Sequence, residues 1–140
     1  MTKAEQDRFD RLLDDVLRHL PVPVRELFDE APIIIEDRPS DDILEEFDLD
    51  PESDTLCGLY TGTPMIERSV DDGPSSPDCI YIFREGVLQQ AGGWETHNDK
   101  GGETLGGEQA ISKEIRITIL HELGHHFGLD EHDLEKMGYE

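Results

Sequence analysis

His121, Glu122 and His125 stand in the spacing H-E-x-x-H, and Gly128, Asp130, Glu131 and His132 follow within a few residues. On a helix, positions four apart lie one turn apart on the same face, so the two imidazoles can converge on one metal ion. Zinc takes nitrogen ligands of this kind at about 2.0–2.1 Å. Glu122, beside the first histidine, is placed to act as base toward a metal-bound water. His126 is turned about 100° from His125 around the helix and is assigned a supporting or surface role.

A third protein ligand has to come from beyond the helix. Gly128 suits a left-handed C-cap, which would turn the chain sharply and swing the next residues back toward the imidazoles. Glu131 stands three residues after Gly128, where the longer pattern H-E-x-x-H-x-x-G-x-x-H has its third histidine. Asp130, His132 and a water are the alternatives, because zinc accepts each of them. Three protein ligands leave a fourth position for water, which the metal acidifies. Glu122 would take that water's proton and pass it to a leaving amine. Hydrolysis of an amide bond is the chemistry expected.

The element that must present these residues is a helix over Glu108 to Phe127. Ile115, Ile119, Leu120, Leu123 and Phe127 gather on one side of it, while Glu114, Thr118, His121 and His125 gather opposite. Upstream, Phe9, Leu12, Leu13, Val16, Leu17 and Leu20 recur at helical spacing and predict an amphipathic helix from Ala4 to Leu20. Pro21 and Pro23 stop it, and a short helix is expected over Val24 to Asp29. Ile33 to Ile35 reads as a strand. Ser40 is a candidate cap for a helical turn over Asp41 to Phe47. Asp48 to Asp54 reads as loop. Leu56 to Tyr60 predicts a strand entering a turn at Thr61 to Pro64, and residues 67–78 an exposed loop. Cys79 to Phe83 is the clearest strand, followed by helical turns from Arg84 to Ala91 that end at Gly92-Gly93. The polar, glycine-rich run from Trp94 to Gly107 predicts a mobile approach to the main helix, and Leu134 to Tyr139 a last helical turn. The fold class expected is α+β: a single domain over residues 1–140, with a small mixed sheet and one long active-site helix.

Charge narrows the function further. Lys and Arg total 12 against 34 Asp and Glu, a formal net charge of −22 in 140 residues. Phosphate binding needs cationic side chains, so nucleic acids and anionic lipids are poor partners. No apolar run approaches the roughly 18–20 residues of a membrane span, and the N-terminus lacks a secretory pattern. A cytoplasmic monomer is expected. Cys57 and Cys79 form no C-x-x-C pair and are expected as reduced, half-buried small side chains. A disulfide stays open if their two strands are neighbours. Arg68, His97 and Tyr139 are weak candidates for stabilising an oxyanion. Trp94 would either cover a cleft or pack into the core.

With these residues in view, the segment Thr118 to Asp130 resembles the zincin superfamily. The chain as a whole is similar to small bacterial zincin-like, minimal-metzincin metallopeptidases. The likeness extends to Leu56-Cys-Gly-Leu-Tyr-Thr-Gly-Thr-Pro, Glu67-Arg68-Ser69, Ile80 to Phe83 and Glu135 to Tyr139. It implies a zincin-like fold, Zn2+ as cofactor and a peptide or protein substrate. The third-ligand position holds Glu131 where metzincins have His and the small family more often has Asp. No metzincin Met-turn is evident, since Met137 follows Glu131 closely. Two rivals remain: a non-catalytic metal-binding or regulatory module on the same fold, and a zinc endoribonuclease. Glu122 within the motif and the acidity argue against the second.

Overall fold

A computed structural model describes residues 1–50, 56–61, 79–98, 100–128 and 132, with the side chains of His125 and His126 outside that set. The first helix, α1 (Lys3–His19), begins with a capping box: Thr2 Oγ1 accepts from the Glu5 amide, and the Glu5 carboxylate accepts from the Thr2 amide, both at 3.2 Å. Reciprocal bonds of this kind satisfy two donors that a bare helix end leaves unpaired. Phe9, Leu12, Leu13 and Val16 are buried along one face of α1. Pro21 then opens a short α2 (Val22–Glu26), which continues as a 3-10 turn over Leu27–Asp29.

Among the described residues three strands make the main sheet: β1 (Ile33–Glu36), β2 (Gly58–Thr61) and β3 (Cys79–Phe83). Their order is β1-β3-β2, with β1 parallel and β2 antiparallel to the central β3. Ile33 and Ile35 lie opposite Ile80 and Ile82, and this isoleucine face meets the helical core. On the reverse face Tyr81 stacks on Phe83, ring centres 5.9 Å apart. Between β1 and β2 comes α3 (Asp41–Glu46), capped by Ser40 Oγ accepting from the Ile43 amide at 3.3 Å. After β3 come α4 (Arg84–Ala91), a small hairpin of β4 (His97–Asn98) and β5 (Thr104–Leu105), and α5 (Gly107–Phe127).

One core joins these elements. Phe9 and Leu13 from α1, Ile80 and Ile82 from β3, Val87 from α4 and Ile111, Ile115, Ile119 and Leu123 from α5 are all fully enclosed. Each such side chain contributes about 1.5–3 kcal/mol by leaving water. At the rim, Arg84 holds both Asp10 oxygens at 3.0 and 3.1 Å and Asp37 at 2.9 Å, while Gln6 donates to the other Asp37 oxygen at 2.9 Å. That network ties α1, the exit of β1 and the start of α4 together.

The structure departs from the sequence reading in several places. The run before the main helix, expected as a mobile approach, carries the β4–β5 hairpin, pairing His97 with Leu105 and Asn98 with Thr104. It is anchored by Gly106 donating to Ala91 at 2.8 Å and Gly107 to Gly93 at 3.0 Å. Trp94 packs against the core, donates to Glu5 at 3.2 Å and takes the Arg8 guanidinium 4.4 Å from its ring centre. Thr61, expected in a turn, is the last residue of β2. Cys57 and Cys79 are free, half-buried and buried. Their strands are neighbours, but Cys57 bonds to Phe83 while Cys79 pairs with Thr61. Four strand positions at about 3.3 Å each keep the thiols far beyond disulfide reach. The loop expected at 67–78, the turn beyond Thr61 and the helical turn at Leu134 to Tyr139 lie outside the described residues.

Candidate metal centre

The helix α5 carries the motif because its own pattern buries it on one side. Ile111, Ile115, Ile119 and Leu123 recur every four residues and are all 0% exposed. His121 faces outward and is exposed, as its place opposite the isoleucine stripe requires. The helix also runs unbroken through His125, so both histidines of the motif stand one turn apart on its backbone. Gly128 ends it in the left-handed region, φ 67° and ψ 29°, with its amide donating to the Gly124 carbonyl. The left-handed cap expected from sequence is therefore present. Asp130 and Glu131 lie outside the described residues, and His132 is exposed.

The enclosed arc of α5 is wider than the apolar stripe alone. Thr118, grouped by sequence with His121 on the open side, is only 7% exposed, and Glu122 likewise 7%. The cause is β2. Gly58 brings the strand so close that a Cβ built on it would stand 2.6 Å from the Thr118 methyl and 3.3 Å from Glu122 Cγ. Thr118 resolves its buried hydroxyl locally, donating to the Glu114 carbonyl at 2.8 Å. Cys57, the residue before β2, sits where burial first and the Glu114 charge second push its thiol pKa up, against a bond from Thr118. Gly58 thus meets α5 at the turn that runs from Thr118 to Glu122. Gly58 and Thr118 are site residues that the sequence reading missed. The available signal was a glycine inside a strand pattern, which often marks close backbone approach.

The weaker candidates separate on position. His97 is exposed on β4, its Nε2 3.1 Å from the Gly92 carbonyl. That hairpin packs at the Gly107 end of α5, about 21 Å along the helix from His121 at 1.5 Å per residue. It is not brought to the motif. Arg68 and Tyr139 lie outside the described residues. Among the described residues no three His, Cys, Asp or Glu side chains converge on one point, a set that does not include His125 or Glu131. Among the described residues, what fits zinc in kind is an exposed imidazole on α5, with a second histidine one turn on along the helix backbone and a left-handed cap at Gly128.

A model of the zincin-like metallopeptidase family matches residues 28–139. The chain belongs to the zincin-like metallopeptidases. The match takes in the sheet, the hairpin and the whole of α5, and leaves α1 outside it. Zinc is the metal that membership implies. No curated protein matches the chain. In this family frame the α+β arrangement is a zincin-like fold: a small mixed sheet with a long helix laid against its antiparallel strand. No described helix is long and apolar enough to cross a membrane.

Proposed function

We propose that this zincin-like protein is a zinc-dependent peptidase of the H-E-x-x-H-x-x-G-x-x-E type, with His121, His125 and Glu131 as ligands and Glu122 as general base. The observation that carries the reading is the pairing of an exposed His121 with an enclosed Glu122 on consecutive positions of α5. A ligand must reach outward to the metal, whereas a base gains from a seat fixed by packing. Zinc, when bound, supplies the acidified water and polarises the scissile carbonyl. The Glu122 carboxylate accepts the water proton and returns it to the leaving amine nitrogen.

Substrate binding falls to β2. Among the described residues this strand is paired on one side only, and it runs beside the turn of α5 that carries Glu122. An extended peptide can add to such an edge by main-chain hydrogen bonds, with its side chains pointing alternately to either face. The substrate class is therefore an extended peptide or an unfolded protein segment.

Elemental analysis and peptide-library cleavage by the parent, Glu122→Gln and Glu131→Ala test the reading together. The parent should hold zinc and cleave. Glu122→Gln should keep its zinc and lose about 10²–10⁴-fold in cleavage, and Glu131→Ala should lose zinc. A parent that holds no zinc when the metal is supplied sinks the site assignment. Zinc without Glu122-dependent cleavage leaves a non-catalytic metal-binding module instead.

A further inference from the structure

The close approach of β2 to α5 rests on one absent side chain. Gly58 is not among the glycines with positive φ, so its backbone conformation is open to any residue. What excludes a side chain there is contact. A Cβ would stand 2.6 Å from Thr118 Cγ2, 2.9 Å from the Tyr81 carbonyl oxygen and 3.3 Å from Glu122 Cγ. The first two distances are shorter than packed carbon atoms tolerate, and the third leaves no slack.

We propose that Gly58 is a positioning residue for Glu122, holding the carboxylate at a set height over the strand edge where the peptide lies. The inference rests on the role proposed above for Glu122. Three surfaces meet at the missing Cβ, and they differ in how far they can yield. Tyr81 belongs to β3, the central strand, paired to β1 on one side and β2 on the other. Thr118 cannot swing its methyl away freely, because its hydroxyl donates to the Glu114 carbonyl at 2.8 Å. The surface left to move is the Thr118–Glu122 turn of α5, and Glu122 moves with it. His121 is exposed and is not among the atoms that a Cβ at position 58 would meet, so a methyl there disturbs the base before it disturbs that ligand. Displacing a catalytic group by as little as about 1 Å can cost on the order of 10²-fold in rate.

Gly58→Ala, Thr118→Ser and the double variant G58A/T118S test this in two independent readouts. Crystal structures of the metal-free proteins should show Glu122 Cγ displaced in Gly58→Ala and moved back toward its parental place in G58A/T118S, which lacks the nearest obstructing atom. In the zinc-loaded proteins, kcat on the best-cleaved library peptide should fall about 10- to 100-fold in Gly58→Ala, with KM and zinc content unchanged, and recover in part in the double variant. Should Gly58→Ala fail to fold, the double variant against Thr118→Ser alone carries the same comparison. A Glu122 side chain that keeps its place in the alanine variant overturns the proposal, whatever the activity. A rise in KM with kcat intact overturns it too, because Gly58 would then act on peptide docking. If Glu122 moves as expected but the parent shows no Glu122-dependent cleavage, the peptidase reading fails and the positioning contact stands.

Discussion

At the scale of the residue, consecutive positions on one helix meet opposite surroundings. His121 looks outward while Glu122 is folded under β2. Helical spacing alone separates the histidines from the isoleucine stripe, and that much could be read from the sequence. The same spacing puts Glu122 between Ile111 and Ile115 around the helix, so its burial was legible too. That of Thr118, at the edge of the stripe, was not, because it depends on a glycine in a strand far away along the chain. A second residue with leverage is Arg84, whose side chain is 12% exposed between Asp10 and Asp37. Burial alone would raise the Asp37 carboxyl, but the hydrogen bonds from Gln6 and Arg84 and the Arg84 charge outweigh it and hold its pKa below the usual range. A depressed carboxylate adds stability that is present above the unfolded value of about 4 and is lost as pH falls through the lower folded value. Arg84→Met should cost about 2–3 kcal/mol at neutral pH, since it strands two carboxylates. Asp37→Asn should flatten the decline in stability below about pH 4. Urea midpoints measured from pH 2 to 7 check both.

At the scale of the element, sequence and structure agree where a repeating pattern is long. The apolar spacing of α1, the β-branched run of β3 and the uninterrupted pattern of α5 each reappear within a residue or so of the limits expected. The β4–β5 hairpin did not show, because strands of two residues leave no alternation to detect. Trp94 was equally silent: its indole is placed by Glu5 and Arg8 of α1, remote in sequence. Caps were more readable. Ser40 was expected to start α3, and its hydroxyl does accept from the Ile43 amide. Ser40→Ala should therefore lower stability by about 1 kcal/mol, seen as a lower thermal midpoint with the far-ultraviolet spectrum nearly unchanged.

At the scale of the whole molecule, the family match and the folding unit do not coincide. The match begins at residue 28, yet α1 inserts Phe9, Leu12, Leu13 and Val16 into the core shared with α5. At about 1.5–3 kcal/mol each, those four side chains amount to roughly the entire net stability of an ordinary domain, about 5–15 kcal/mol. A chain shortened to residues 28–140 should fail to fold cooperatively and should aggregate, since the α5 face beneath α1 would be bared. Circular dichroism melting and size-exclusion chromatography of the shortened chain check this. The helix α5 is held from two sides by elements of different standing: a sheet within the family pattern and a helix outside it.

The placement of the two cysteines has a practical side for anyone loading this protein with metal. Neighbouring strands keep Cys57 and Cys79 four positions out of step, one half-buried and the other buried. Burial and the nearby Glu114 charge also push the Cys57 thiol pKa up, which disfavours the reactive thiolate. Air therefore has little to oxidise and no internal crosslink to make. Purification can dispense with dithiothreitol, a reagent whose own thiolates compete for zinc.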